Sequence, residues 1–492
     1  MNQQASKYKY VPALLACIVL LAGILRCWNI NQSFWWDEIW STMAYAKTAS
    51  IWTVISSLGY YFNNHIFYSV LARFSMQCFG ESEIAARLPA LVMGLLGILV
   101  LFYCGKKFLG DRTGIVSALL LAISAFHIDH STEARGYSGL ALFSLLSSLF
   151  FLLGLRMKGM KIWIWYVVFT VLGCYTHTFM VAICIAQVAC VVLFFLSGQI
   201  GFSRIGISQL ALRSFLLSLG CAAIITLILY AAVLPAFLTN MGKVRYVHVN
   251  RMPFIINLLS ALTPGVAGLL GGIVYGIICV AGIGGILKKD PVLGVYIAVL
   301  LVLPLALYLA LNPMFVFERY FIYALPFVLM VMGHGIMVLS QPMQGLYKIG
   351  FILGCLLLIV YMQMPSLYTM LTQDRQNYRE AMLYVEKTGI NNNEDLVFSI
   401  GYAGENFQYY SRRSKIILPQ TLNDLNVLSK GKKRIWCLIS AWLPEIRPAY
   451  EDQALYSEKY GQSEIYDLIK KRFQLKKYYP SRFPVEIYYL EQ

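Results

Sequence analysis

Val11-Pro-Ala-Leu-Leu-Ala-Cys-Ile-Val-Leu-Leu-Ala-Gly-Ile-Leu25 is an uninterrupted apolar run, preceded by Lys7 and Lys9 and followed by Ser33-Phe34-Trp35-Trp36-Asp37-Glu38-Ile39-Trp40. Crossing a bilayer takes about 20 apolar residues, and the basic flank stays in the cytoplasm. The run could pass for a signal peptide, but no small-residue cleavage site follows it, so it reads as a retained signal anchor. The rest of the chain has the same character. Of its 492 residues 59% are hydrophobic and 13% charged, with a mean hydropathy of +0.63. Soluble domains carry about 25% charged residues. The chain is therefore an integral membrane protein, which excludes a cytosolic enzyme, a disordered scaffold and a nucleic-acid binder despite the net charge of +16.

The charges are unevenly spread. Residues 1–364 hold 22 Lys/Arg and 9 Asp/Glu, whereas residues 365–492 hold 18 and 15. A membrane domain over 1–364 is thus followed by a small water-facing domain over 365–492. Basic clusters at Lys7/Lys9, Lys106/Lys107/Arg112, Arg156/Lys158/Lys161, Arg204/Arg213, Lys288/Lys289 and Lys348 mark the cytoplasmic side. An even number of spans must then separate each consecutive pair. Spans near 11–28, 85–104, 113–129, 137–155, 162–178, 179–197, 211–235, 266–287, 291–311, 320–340 and 347–364 satisfy this. Eleven spans put the tail outside. Residues 62–79 are apolar, yet counting them would place Lys106 and Lys107 outside, so they are expected as a helix at the outer interface within a first outer loop over 29–84. Segment 256–271, broken by Pro264-Gly265, is treated the same way. In the tail, a helix over 373–388, strands over 396–401, 415–419 and 434–441, and a terminal hairpin over 472–480 and 483–491 predict a small α/β sandwich. The 11 cysteines form no metal-binding spacing and imply no disulfide framework.

Acids are scarce in the first 364 residues, and a charge at membrane depth costs roughly 2.5–3.5 kcal/mol or more. Asp111 and Asp290 read as loop charges; Asp37, Glu38, Glu81, Glu83, Asp129, Glu133 and Glu318 fall on the outer side. The Asp37-Glu38 pair sits among tryptophans. An aromatic belt with two solvated acids explains it, and so does a general base whose proton affinity is raised in a half-dry setting. In His127-Ile128-Asp129-His130-Ser131-Thr132-Glu133-Ala134-Arg135-Gly136-Tyr137, Glu133 and Arg135 could form a local ion pair. His127 and His130 could ligate a divalent metal or serve as polar interface residues. Asn63-Asn64-His65 with Tyr68, Tyr175-Thr176-His177 and Glu318-Arg319-Tyr320 fall on the same side. So does Lys243-Val244-Arg245, a basic stretch against the inside trend that suggests an anionic ligand. An outer cleft of acids, histidines and arginines fits chemistry better than transport.

These motifs resemble the C-type superfamily of lipid-dependent glycosyltransferases, in particular the protein O-mannosyltransferases and the bacterial lipid A aminoarabinose transferases (glycosyltransferase family 39 and relatives). The Asp37-Glu38 pair, His65 with Tyr68, Gly80-Glu81-Ser82-Glu83-Ile84-Ala85-Ala86-Arg87-Leu88-Pro89, Glu133-Ala134-Arg135-Gly136-Tyr137, Tyr175-Thr176-His177, Arg319-Tyr320 with Pro326, and Asn377-Tyr378-Arg379-Glu380-Ala381 carry the likeness. It is strong over 29–178 and looser beyond. Ile66 stands where the family often has proline, and Asn64 lies near an acid of the aminoarabinose transferases. The resemblance implies the C-type fold, with about 11 transmembrane helices and a small extracytoplasmic α/β domain. It also implies a multi-pass protein of a bacterial inner membrane, a polyprenyl-phosphate-sugar donor, and a lipid, glycan or protein acceptor on the outer side. A phosphate leaving group needs a positive clamp, and the acceptor needs a base. Asp37 is the expected base, with Glu38 and Glu133 as further catalytic candidates. His65, Tyr68, Arg135, Tyr137, His177, Lys243, Arg245, Glu318, Arg319 and Tyr320 are the binding candidates, Arg319 and Arg135 foremost for phosphate. One displacement would invert the anomeric centre.

Two rivals share parts of this pattern. A lipid-linked glycan flippase predicts ionisable residues along a path through the bilayer, whereas nearly all spans here are clean. An O-antigen polymerase or ligase usually carries its large outer loop between late spans, and here the long loop comes first.

Overall fold

The computed structural model describes residues 10–48, 50–57, 64–157, 159–199, 206–241, 251–263, 268–311, 317–400, 403–419, 421–440, 463–482 and 484–491. The chain divides into two compact units. One holds Met1–Trp28, Ala44–Tyr246 and Phe254–Leu367; the other joins Asn29–Met43 and Val247–Pro253 to Tyr368–Gln492.

The first unit is helical. Among the described residues eight helices are long and apolar enough to cross a membrane: Glu83–Leu109, Tyr137–Arg156, Thr178–Gln199, Gln209–Tyr230, Gly271–Lys289, Pro291–Leu311, Glu318–Leu339 and Gly345–Thr372. A ninth is the bent pair Asp111–Ile123 and Ala125–Ser131, angled by 64°. The remaining two expected spans are the apolar helices Val11–Cys27 and Met160–Thr176, each of 17 residues, at the short end of the spanning range. The segment reserved for the interface is the helix Ile66–Phe79, whose 14 residues cover only about 21 Å at 1.5 Å per residue. Glu83–Leu109 and Asp111–Ile123 form a tight helical hairpin around Gly110, whose φ of +103° suits glycine. Their close approach rests on Gly105 and Gly114, since a Cβ on either would fall within 2.7 Å of the other helix's backbone.

The bend at Ser124 has a physical cause. Ser124 Oγ accepts from the His127 amide and starts a new helix, which leaves the end of Asp111–Ile123 short of partners along the helix, Leu121 O accepting from the Ser124 amide at 3.4 Å. Buried Arg26 fills that gap from the first span. Its Nη1 donates to Ala22 O at 3.0 Å and Ala122 O at 2.9 Å, Nη2 lies 3.4 Å from Leu121 O and 2.7 Å from His127 Nδ1, and Nε donates to Ser131 Oγ at 2.9 Å. The first expected span thus carries a buried charge, an exception within the reading of nearly all spans as clean.

The second unit carries a four-stranded sheet. β1 (Asp395–Ser399), β2 (Arg434–Ser440), β3 (Gln474–Tyr479) and β4 (Val485–Glu491) take the order β1-β2-β4-β3. β1 and β2 run parallel, while β2–β4 and β3–β4 are antiparallel. The expected terminal hairpin is therefore present, with a register shift between Leu475 and Lys477. Alternation along the strands sends Leu396, Phe398, Ile435, Cys437, Ile439 and Tyr488 into a core with Leu425, Ile465, Ile469 and Phe473. On the opposite face Trp436 packs against Tyr489 and against Tyr384 of the helix Tyr378–Lys387. The strand expected over 415–419 is reduced to one parallel bridge, Phe398 to Ile417. Pairing cannot pass that point because the next donor would be Pro419, which has no N–H. All eleven cysteines are free.

Candidate active site

Tyr137, at the start of the helix Tyr137–Arg156, is the hub of the first unit's polar cluster. Its ring centroid lies 5.0 Å from those of His65 and His130, 5.5 Å from His177 and 6.2 Å from Tyr320, on which it stacks. The guanidinium carbons of Arg135 and Arg319 lie 5.8 and 5.7 Å from the same ring centroid, within cation–π range. The Tyr137 hydroxyl is buried and has no hydrogen-bond partner among the described residues. Six residues from four separate stretches of sequence thus meet: His65, Arg135, Tyr137, His177, Arg319 and Tyr320.

Local structure sets the direction of their hydrogens. The Gly136 amide donates to His65 Nδ1 at 2.8 Å, and the Phe179 amide donates to His177 Nδ1 at 3.1 Å. A neutral imidazole accepts at one nitrogen only, so both rings carry their hydrogen on Nε2. Burial, then Arg135, His177 and Arg319, holds His65 well below the ordinary histidine range. Burial, Arg135 and Arg319 bring His177 down to about 3. Both rings are neutral N–H donors. Arg135 Nη2 lies 3.2 Å from His65 Nε2, and two hydrogen-bearing nitrogens that close are satisfied by one shared acceptor. Arginine and imidazole N–H donors gather around Tyr137 beside the buried carboxylate of Glu133, and such donors suit an oxyanion.

The other predicted residues fall as follows. Glu133 is fully buried, its Oε2 2.8 Å from His130 Nδ1. The Tyr68 hydroxyl donates to Ala86 O at 2.5 Å, tying the helix Ile66–Phe79 to Glu83–Leu109. Glu318 accepts from Asn257 Nδ2 at 3.2 Å. Lys243 and Arg245 lie outside the described residues. His127 turns Nδ1 to Arg26 while His130 turns Nδ1 to Glu133, and no group of three His, Cys, Asp or Glu side chains among the described residues is placed to hold a metal. Two residues escaped the sequence reading. One is Arg26. The other is buried Tyr45, whose phenol is pushed up to about 12 by burial while the field of Arg135 pulls the other way.

Asp37 and Glu38 belong to the second unit. They open the helix Trp36–Ser41. Glu38 is fully buried and folds back so that its Oε2 accepts from the Trp35 amide at 3.2 Å, the return half of a capping box. Asp37 is partly exposed.

Comparison with known proteins agrees with this architecture. Residues 64–229 match the family model described as dolichyl-phosphate-mannose-protein mannosyltransferase. The fold is similar to that of ArnT from Cupriavidus metallidurans in the apo state, with a TM-score of 0.58 at 10% identity over 98% of both chains. Against ArnT bound to undecaprenyl phosphate the TM-score is 0.54 at 11% identity, again over 98% of both. The archaeal oligosaccharyltransferase AglB from Archaeoglobus fulgidus, in complex with an inhibitory peptide and a dolichol-phosphate, gives 0.50 at 13% identity over 88% of this chain and 69% of AglB. No curated protein matches the chain in sequence. The protein has the C-type glycosyltransferase fold: a multi-span helical membrane protein with a small C-terminal sheet domain.

Proposed function

We propose that the protein is a membrane glycosyltransferase that moves a sugar from a polyprenyl-phosphate carrier to an acceptor on the extracytoplasmic face, with inversion. The observation that carries this reading is the cluster around Tyr137, where Arg135 and Arg319 lie near the ring and His65 and His177 pack beside it with their Nδ1 atoms turned to backbone amides. ArnT has been seen with undecaprenyl phosphate and AglB with dolichol-phosphate, so lipid phosphates occur on this fold. In the reaction the acceptor oxygen or nitrogen bonds to the anomeric carbon. The bond from that carbon to the phosphate oxygen breaks, and its electron pair leaves with the phosphate. The two arginines and two N–H donors stabilise that developing charge, while Asp37 takes the acceptor's proton. A single displacement inverts the anomeric centre.

The test uses purified protein in nanodiscs with a synthetic polyprenyl-phosphate sugar. Arg319→Ala should raise the donor KM, and Arg319→Lys should recover part of the loss, because a planar fork grips phosphate better than a point charge. An unchanged donor KM in Arg319→Ala would remove Arg319 from the clamp.

A further inference from the structure

The loop that leads into Asp37 has little regular structure of its own, and the C-terminal domain supplies its hydrogen-bond partners one after another. Asn29 Nδ2 donates to Asp374 Oδ1 at 3.2 Å, and the Arg375 amide donates to Gln32 Oε1 at 3.0 Å. Arg379 donates from its amide to Ser33 Oγ at 3.2 Å and from Nη2 to Asn31 O at 2.8 Å. The Phe34 amide donates to the Tyr410 hydroxyl at 2.7 Å, and the Trp36 amide donates to Gln376 Oε1 at 2.9 Å. The Arg375 guanidinium lies 5.3 Å from the Trp35 ring centroid. These partners come from residues 374–379 and from Tyr410, and the Tyr409 ring adds a contact to Phe34.

These contacts reach the atoms that matter. Trp36 is the first residue of a helix of 6 residues, too short to hold itself in water, and its amide is one of the donors a helix start leaves without a partner. Gln376 caps that donor. Gln376 is itself fixed, since its Nε2 donates to Ser440 Oγ at the end of β2. A chain of hydrogen bonds therefore runs from the sheet through Gln376 to the amide of Trp36, the residue before Asp37, and Tyr410 holds the backbone two residues further back.

We propose that the C-terminal domain serves catalysis as the holder of the Asp37–Glu38 loop, with Gln376 and Tyr410 as positioning residues for the Asp37 carboxylate. This rests on the reading of Asp37 as the base. Misplacing a reacting group by about 1 Å costs on the order of 100-fold, so losing one anchor should lower kcat about 10- to 100-fold.

The experiment compares full-length Gln376→Ala, Gln376→Glu and Tyr410→Phe in nanodiscs, each alone and combined with Asp37→Asn. Turnover, donor Kd and Tm are measured for all. Gln376→Ala and Tyr410→Phe should lose kcat with donor Kd and Tm close to wild type. Gln376→Glu keeps the oxygen that accepts from Trp36 and should recover most of the rate. In the Asp37→Asn background the anchor substitutions should cost nothing further, because the group they position is already gone. Wild-type turnover in both anchor variants, with Asp37→Asn inactive, would overturn the positioning proposal alone. A loss that adds in full onto Asp37→Asn, or one that follows Tm, would make these residues ordinary structural contacts and also overturn it. Near-normal turnover in Asp37→Asn by itself would remove the base reading, and the proposal with it.

Discussion

The Gly136 amide donates to His65 Nδ1 at 2.8 Å across 71 residues of sequence, and only glycine allows that approach. A Cβ at position 136 would lie 2.9 Å from Thr176 Cγ2 and 3.1 Å from both Cβ and Nδ1 of His65. The bond fixes the His65 tautomer and seats the peptide next to Arg135. Gly136→Ala should therefore displace both donors at once and weaken donor binding by at least tenfold, about 1.4 kcal/mol. Isothermal titration or tryptophan quenching with the lipid phosphate would measure it. Wild-type affinity in Gly136→Ala would show that the contact plays no part in the site.

The neutral state of the two imidazoles predicts an unusual pH response. A free histidine titrates near 6.5, but His65 and His177 are held far below that by burial and two arginines. Donor affinity should stay flat from about pH 5.5 to 8, on either side of that value. Stability should behave differently. Below about 6.5 the unfolded chain binds protons that the folded rings refuse, so stability falls as pH falls. A donor affinity that climbs on acidification with a midpoint near 6.5 would mean that an imidazolium holds the phosphate.

Arg26 separates structure from chemistry. Its guanidinium satisfies the carbonyls at the broken end of Asp111–Ile123 and reaches Ser131, five residues before Gly136. Arg26→Met would strand those buried acceptors at about 1–3 kcal/mol each, so a fall in Tm should accompany any loss of activity. Arg319→Ala should lose donor affinity without a comparable fall in Tm. Equal Tm values for wild type and Arg26→Met would contradict the bracing role.

Much of this was legible in the sequence. The basic clusters and span parity located the helices because a 20-residue apolar run has few alternatives in a bilayer. His65, Arg135, Tyr137, His177, Arg319 and Tyr320 could be named as candidates because polar residues at the ends of apolar runs stand out. Arg26 was missed because its reason for being in a span lies at Ser124, where a distant helix breaks. The strand near 417 was overestimated because a run of apolar residues does not reveal that Pro419 ends the pairing. Nor did residue type show that Glu38 is turned back onto the Trp35 amide, which only the local fold decides.

The proposed orientation rests on the same parity. Eleven crossings starting from a cytoplasmic Lys7 and Lys9 would place the C-terminal domain outside. A C-terminal reporter active only outside the cytoplasm should be active, and one active only inside should be silent. The reverse pattern would invert the topology and remove the extracytoplasmic acceptor from the proposal.

The adjacent acids should differ sharply, and the geometry says in which direction. Glu38 is buried with Oε2 on the Trp35 amide; glutamine offers an oxygen at the same place, and Gln serves at this capping-box position as Glu does. Glu38→Gln should therefore keep most of the turnover, while Glu38→Ala loses the cap and about 1 kcal/mol of local stability. Asp37 is partly exposed at the first turn of the same helix. Asp37→Asn preserves its size but cannot take the acceptor's proton, and loss of a general base costs about 10²–10⁴-fold, or roughly 3–5 kcal/mol of barrier. Donor Kd should stay at the wild-type value in both Asp37→Asn and Glu38→Gln, because neither residue belongs to the proposed phosphate clamp. Turnover from a synthetic polyprenyl-phosphate sugar in nanodiscs, with donor binding measured separately, decides the matter. A larger loss in Glu38→Gln than in Asp37→Asn would move the base to Glu38, and losses below about threefold in both, far short of the general-base range, would leave the pair as belt residues.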